Sequence, residues 1–358
     1  MRPLRMLEAL ATPHGVDRYL ELVHPMLARR DLRAEITRVE RPTADSVTLT
    51  LRPNRRWTGF AAGQYVQLSV EIDGVLRTRC FSPCSSQHRA DGRFELTVRA
   101  HEDGLVSAHL YAHAKPGLVV GLTPAAGEFT LPPQRPERVL LISGGSGITP
   151  VLAMLRTLVD ERWNGEAVFL HYARSEQDVP HLAELREIAA NNANVRLVLA
   201  YTRKSDGADL TGHFESAHLA ETAPWHADAP AFLCGPHALM TAVREHYEAK
   251  GIPEVLHSEA FTLAAATPNA EDATGTIRFG ASARLVEVEN SGATLLEQAE
   301  GAGLTPEYGC RMGICFTCTK VKTAGCTRNV RTGELHTDPD QEIQLCISVP
   351  VGDVEIDA

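Results

Sequence analysis

Three hydrophobic patterns follow one another along the chain. From Leu32 to about Pro133, polar and apolar residues alternate in short runs: Ser46-Val47-Thr48-Leu49-Thr50-Leu51, part of Tyr65-Val66-Gln67-Leu68-Ser69-Val70, and Phe94-Glu95-Leu96-Thr97-Val98-Arg99. Period-two alternation marks half-buried strands, and Asp73-Gly74 and Asp91-Gly92 supply turns between them. Residues 33–133 are therefore expected to form a small antiparallel β-barrel. From Arg138 the pattern changes. Val139-Leu140-Leu141-Ile142 is a continuous apolar run, as a parallel strand buried on both faces requires, and further runs follow at 167–172, 195–201 and 231–233, with a helix over 151–160. That alternation predicts an α/β domain over residues 134–262. Small and polar residues at 263–273 read as a linker. Residues 274–358 then show a hairpin (276–280 with 284–289), an amphipathic helix over 294–302 and a last strand over 353–357. Ahead of all this, in residues 1–32, Val16, Tyr19, Leu20, Val23 and Leu27 recur at helical spacing, with Pro25 positioned to kink or end the helix. This stripe is expected to pack on the protein's own body.

Composition narrows the functional classes. The net charge of -10 and pI near 5.8 argue against nucleic acid as a partner, since phosphate binding needs a basic face. The uncharged run from Val139 to Leu155 contains Gly144-Gly145-Ser146-Gly147 and Pro150, which makes it strand, loop and helix start rather than a membrane span. With no apolar stretch after Arg2 and Arg5, a soluble cytoplasmic protein is expected.

The eight cysteines carry more information. Cys310, Cys315 and Cys318 are spaced C-x4-C-x2-C, and Cys346 follows at a distance. This is the thiolate arrangement that holds a plant-type [2Fe-2S] cluster. Gly309 and Gly313 let the backbone fold closely around inorganic sulfide. A four-cysteine zinc site is the alternative, but zinc sites usually pair C-x2-C with a second C-x2-C or with histidines, and here the second pair is missing. Cys80, Cys84, Cys234 and Cys326 are too scattered for a disulfide framework, and packing is the expected role of Cys326.

A one-electron carrier needs an electron source. The run Gly144-Gly145-Ser146-Gly147-Ile148-Thr149-Pro150 stands between a strand and a helix, where backbone N–H groups and the positive helix end meet a dinucleotide pyrophosphate. Past the second strand, Arg174-Ser175 could hold a 2′-phosphate, and no acidic residue sits immediately at that strand end to bond a free ribose hydroxyl. That favours NADPH over NADH, unless Arg174 is simply a solvated loop charge.

Arg79-Cys80-Phe81-Ser82, Gly104-Leu105-Val106-Ser107 and Cys234-Gly235-Pro236, in this order around the glycine loop, resemble the signatures of the ferredoxin-NADP reductase superfamily. The resemblance implies a flavin site in the barrel. Arg79 would bond a flavin phosphate, while Gly104 and Ser107 would meet that phosphate at a helix start. Val98 and Arg99, ending the strand between the two motifs, belong to the same cofactor site. Phe81 would lie on the isoalloxazine ring, Ser82 near its N5 and Cys234 beside the nicotinamide. Within His257-Ser258-Glu259-Ala260-Phe261, the resemblance places Glu259 near the reacting atoms and Phe261 over one ring face. The family more often has tyrosine at the position of Phe81, so a hydroxyl contact to the ribityl chain is in doubt.

The α/β domain resembles the superfamily's Rossmann-like NAD(P) domain, and the C-terminal segment resembles a β-grasp ferredoxin domain. Hydride arrives as an electron pair whereas a cluster takes single electrons, so a flavin must stand between them. Such fused reductases serve oxygenases, ring-activating enzymes and desaturases. Residues 310–318 together with Thr12-Pro13-His14-Gly15-Val16-Asp17-Arg18-Tyr19 look most like reductase partners of bacterial membrane-bound acyl-CoA desaturases. That narrower resemblance implies FAD, although FMN reductases share a similar set of domains. It also implies contact with a membrane only through the partner. A Rieske-type or diiron oxygenase is the next candidate acceptor, and a free-standing NAD(P)H oxidase or quinone reductase survives as an alternative; a redox sensor would not need the flavin and nucleotide apparatus. Arg311, Lys320, Lys322, Arg328 and Arg331 lie in or soon after the cluster loop. If they share a face, the electron exit is basic and steers an acidic partner.

Overall fold

The computed structural model describes residues 23–27, 29–101, 104–204, 206–261, 273–281, 284–309, 311, 313 and 316–357. The chain divides into two compact units, one running to Ala260 and the other from Phe261.

The first half of the first unit is an antiparallel sheet of β1 (Arg33–Thr43), β2 (Ser46–Pro53), β3 (Val66–Ile72), β4 (Val75–Phe81), β5 (Phe94–Arg99) and β6 (Val119–Leu122), in the order β4-β3-β6-β1-β2-β5. Its two ends meet. Pro83, just past β4, bridges Leu96 of β5, and Cys84 N–H donates to the Glu95 carbonyl at 2.8 Å, so the sheet curls into the expected barrel. Leu49, Leu51, Val66, Leu68, Phe94 and Leu96 fill its interior, and α1 (Leu105–His113) adds Val106 and Leu110. The β3–β4 turn is Asp73-Gly74, both with positive φ, as a two-residue hairpin loop of this twist requires. One expectation fails on β2. Ser46, Thr48 and Thr50, read from the alternation as its outward face, are 2–3% exposed. The second half of the unit covers that side of the barrel: Thr48 bonds Thr97 at 2.9 Å, and Thr97 in turn bonds His181 at 2.8 Å.

That second half is a parallel sheet of β7 (Arg138–Gly144), β8 (Glu166–Ala173), β9 (Val195–Tyr201), β10 (Leu210–Thr211), β11 (Ala231–Cys234) and β12 (Leu256–Glu259), ordered β10-β9-β8-β7-β11-β12. Between them run α2 (Ile148–Asp160), α3 (Leu182–Asn191), α4 (Ser216–Thr222) and α5 (His237–Ala249). Leu140 and Ile142 pack in a core with Met240, Val243 and Tyr247, while Val139 and Leu141, pointing the opposite way, are equally buried. The chain leaves β7 toward β8 on one side and later returns to β11 on the other, so the sheet has a topological switch point between β7 and β11, where this fold class places its ligands.

The second unit is a mixed sheet, β14-β13-β18-β15-β16, of β13 (Thr276–Ala281), β14 (Arg284–Glu289), β15 (Thr319–Asn329), β16 (Leu335–His336) and β18 (Ser348–Asp357), with β17 (Gln341–Gln344) also paired to β15. A helix, α6 (Leu295–Gly301), starts with a capping box in which Thr294 and Glu297 satisfy each other's backbone N–H. Its Leu295, Leu296 and Ala299 pack with Phe279, Ile343, Leu345 and Ile356.

Of the N-terminal stripe, Val16, Tyr19 and Leu20 lie outside the described residues. Val23 and Leu27, expected to pack inward, are 77% and 46% exposed around a single 3-10 turn, Pro25–Leu27. Among the described residues, no helix is long and apolar enough to cross a membrane.

Candidate functional site

Three segments converge at the C-terminal ends of β7 and β11. The turn Gly144–Gly147 passes so close to Cys234-Gly235-Pro236 that a Cβ on Gly147 would stand 2.2 Å from the Cys234 carbonyl oxygen, and one on Gly144 would stand 2.9 Å from Pro236 Cδ. These glycines are needed for close approach between two βα turns, and only Gly145, at φ 52°, also needs the left-handed region. Ser146 and Ile148-Thr149 lead into α2, whose first turn is buried. Cys234 pairs in parallel register with Glu259. Burial pushes the Glu259 carboxyl up to about 7. Burial, and then Glu259 itself, raise the Cys234 thiol well above its ordinary value. One oxygen of Glu259 lies 3.9 Å from where a Cβ of Gly127 would stand, against the barrel's Tyr65. The other is buried without a hydrogen-bond partner among the described residues. Phe261 follows two residues later, half-buried, at the start of the second unit.

On the barrel side, Arg79, Cys80 and Phe81 are half-buried on β4, and Arg79 donates to the Thr78 carbonyl at 2.9 Å. Ser82 is 3% exposed, and its hydroxyl too has no partner among the described residues. Helix α1 packs against β4 and β5, which brings the Gly104 motif to the Arg79 motif. Gly104 caps this helix, and a Cβ there would meet Ser107 Oγ at 2.3 Å. Leu105 is exposed, whereas Val106 and Val98 are core. Buried hydroxyl and carboxyl oxygens without partners cost free energy unless a ligand completes them. Ser82 and Glu259 are therefore each suited to meet a polar atom of a ligand, and the glycine turn fits a pyrophosphate.

Arg99, at the end of β5, points to the nucleotide half instead of staying with the flavin motifs. A Cβ on Gly145 would lie 3.3 Å from its Nη1, and its guanidinium is held by Asp45 through Nε at 2.8 Å and Nη2 at 2.7 Å. Arg174 shares that carboxylate at 3.3 Å and also bonds Asp178. Asp178 accepts from Ser175 Oγ at 2.6 Å as well. The expectation that no acidic group stands at this strand end is thus corrected: the 3-10 turn Glu176–Asp178 folds back and brings Asp178 onto both residues. Asp45 and Asp178 were the site residues that sequence reading missed. The first lies 129 residues away from Arg174, and the second is reached only through the turn.

In the second unit, Cys318 and Cys346 are buried, 1% and 4% exposed, on adjacent segments; Leu345 N–H donates to the Cys318 carbonyl at 3.1 Å. Cys310 and Cys315 lie outside the described residues. Around them Arg311, Gly313 and Phe316 all have positive φ, and a Cβ on Gly313 would stand 2.5 Å from Ile347 Cδ1. Left-handed backbone at these three positions and the close approach of Gly313 to Ile347 fit thiolates gathered on a compact cluster. Two of the five basic residues expected to share a face are engaged within the second unit instead. Lys322 is fully buried, with Nζ donating to the carbonyls of Gly325 at 2.9 Å and Asp338 at 2.5 Å, and Arg311 is paired with Glu300.

Comparison with known proteins agrees with this architecture. Residues 34–131 match the oxidoreductase FAD-binding domain, 141–245 the oxidoreductase NAD-binding domain and 281–351 the 2Fe-2S iron-sulfur cluster binding domain. An NADPH oxidoreductase of Mycobacterium tuberculosis H37Rv is 35% identical over 352 residues, covering 97% of this chain and 90% of the relative. The chain belongs to the ferredoxin-NADP reductase superfamily, as a flavin reductase fused to a [2Fe-2S] domain. The glycine betaine monooxygenase reductase subunit of Pseudomonas aeruginosa is 33% identical over 321 residues, covering 83% of this reductase and 87% of the relative. Phthalate dioxygenase reductase shares the fold, with a TM-score of 0.62 over 92% of this chain and 98% of that one, at 22% identity. This reductase is accordingly an NAD(P)H-dependent oxidoreductase with FAD, NAD(P)H and a [2Fe-2S] cluster as its cofactors, and its relatives include reductase components of oxygenase systems.

Proposed function

We propose that this reductase draws electrons from NADPH at a site walled by Ser82, Cys234 and Glu259, and delivers them through a cluster on Cys310, Cys315, Cys318 and Cys346 to a membrane-bound diiron acyl-CoA desaturase. The observation that carries the site assignment is the pair of buried, unpartnered oxygens on Ser82 and Glu259. The flavin, when bound, supplies the ability to take electrons in pairs and give them up singly. The chain's own groups do the rest. Ser82 offers a desolvated hydroxyl. Glu259, titrating near neutrality, can hold or release a proton at its own carboxyl. Cys234, kept neutral by burial, shapes the site without charging it. Arg79 and the start of α1 would hold a flavin phosphate, Phe81 would lie against its ring, and Gly144–Gly147 would hold the pyrophosphate.

NADPH is favoured by Arg174-Ser175 and by the relative named as an NADPH oxidoreductase. An alignment over 97% of this chain also takes in most of residues 1–32, so the N-terminal segment is common to both proteins. The desaturase rests on residues 310–318 and 12–19. A second reading, a monooxygenase as acceptor, is favoured by the glycine betaine monooxygenase reductase relative. The test is an anaerobic NADPH titration of wild type and Cys315→Ser that follows flavin and cluster absorbance, then turnover with each acceptor. Reduction of flavin and cluster in wild type, flavin alone in the variant, and cluster-dependent desaturation is the expected result. Zinc in place of iron would overturn the electron path, and turnover only with an oxygenase would overturn the desaturase.

A further inference from the structure

The two halves of the first unit are joined, at the mouth of the glycine turn, by a chain of charges that includes the residue expected to recognise a 2′-phosphate. Asp45 sits in the β1–β2 turn, and that turn is fixed. Thr43 Oγ1 donates to Asp45 Oδ1 at 2.9 Å, Ala100 N–H donates to the Asp45 carbonyl at 2.7 Å, and Tyr111 OH donates to the Ala44 carbonyl at 2.7 Å. The remaining carboxylate oxygen takes two N–H groups of Arg99 and one of Arg174. Asp178 binds Arg174 from the other side and ties up Ser175. Both residues that would hold a 2′-phosphate therefore already hold carboxylates. The pocket among Asp45, Arg99, Gly145, Thr149 and Asp178 is about 20 Å³, room for about one water. A 2′-phosphate at Arg174 would have to share the guanidinium with these carboxylates or displace them.

We propose that Asp45 and Asp178 determine nucleotide selectivity by competing with the 2′-phosphate for Arg174. A phosphate monoester carries up to two charges and three acceptor oxygens, and so outcompetes a carboxylate for a guanidinium. A 2′-hydroxyl does not, and leaves the carboxylates in place. Asp45 gives this competition a second consequence, because its release from Arg174 removes a bridge between the flavin and nucleotide halves. The inference rests on the reading of Arg174 as the 2′-phosphate ligand.

The test measures dissociation constants of 2′,5′-ADP and 5′-AMP for the oxidised holoenzyme, in wild type, Asp45→Asn, Asp178→Asn and each variant combined with Arg174→Gln. The expected result is that each Asn variant raises the preference for 2′,5′-ADP over 5′-AMP about fivefold, the size set by one partly exposed ion pair, and that Arg174→Gln abolishes the gain. Flavin content and thermal midpoint equal to wild type show that each variant is folded. If wild type prefers 2′,5′-ADP and neither Asn variant increases that preference, the inference fails while the NADPH reading stands. If wild type shows no preference and the Asn variants acquire one, the NADPH reading fails and the inference stands, the carboxylates then enforcing NADH. No preference in any variant defeats both.

Discussion

Arg156 of α2 donates through Nη1 to the main-chain carbonyl of Cys84 at 2.7 Å, a contact from the nucleotide half into the barrel. The same nitrogen lies 3.2 Å from Glu95, and the rest of the guanidinium is clamped by Glu184. The side chain is 12% exposed. Burial works against its charge, but the surrounding carboxylates prevail and its pKa is raised. Removing one member of a buried ion pair strands the others and costs about 3–5 kcal/mol. Arg156→Met is therefore expected to lower the stability of the first unit by about that amount, toward the low end because Glu184 is partly solvated. Chemical denaturation followed by flavin release checks it, and a loss below about 1 kcal/mol would count against a bracing role.

Gly147 has φ near -66°, so local backbone geometry does not require glycine. What excludes a side chain is the Cys234 carbonyl, 2.2 Å from a built Cβ. Gly147→Ala must push the two turns apart, at a cost of about 1–3 kcal/mol, and should weaken nucleotide binding more than it lowers flavin content. Equal KM values for NADPH in wild type and variant would show that the turns move without consequence.

The elements whose periodicity is set by one buried face were legible in the sequence. Strand Val195–Tyr201 and the hairpin of β13 and β14 lie where the pattern placed them. β2 was read with the right start but two residues short and with the wrong outer face, because the alternation that marks a solvent face cannot tell water from a second domain; Thr48 bonds Thr97, which bonds His181. β15 escaped notice although it is the longest strand of its sheet: Lys320, Lys322 and Arg328 break its apolar pattern, and the buried ammonium of Lys322 finds carbonyls that only the folded chain provides. At the site, glycines and cysteines announced themselves through spacing, whereas Asp45 and Asp178 are ordinary turn aspartates until the chain brings them to Arg174.

Glu259 gives the first unit a pH dependence of stability. Its carboxyl holds a proton up to about 7 when folded, against an ordinary value of 4.5. Between these values the folded state binds more protons than the unfolded one, so stability falls as pH rises from about 4.5 to about 7 and is level above that. The full swing is about 3 kcal/mol. Glu259→Gln should remove it, making the variant more stable than wild type at about pH 8 and equal to it at about pH 4.5. Parallel thermal midpoints of the two proteins across that range would mean that Glu259 does not titrate there.

Lys322 converts an expectation about partner docking into one about folding. Its ammonium is inside the second unit and holds the carbonyls of Gly325 and Asp338. A charge that cannot reach solvent contributes little to steering, and the two hydrogen bonds lost with the ammonium are worth about 1–3 kcal/mol each. Lys322→Met is therefore expected to destabilise the ferredoxin domain by about 2–5 kcal/mol and to speed loss of cluster absorbance on warming. Acceptor reduction should keep its wild-type dependence on ionic strength at temperatures where the variant remains folded. A variant of undiminished stability whose salt dependence has flattened would place the ammonium at the docking surface instead.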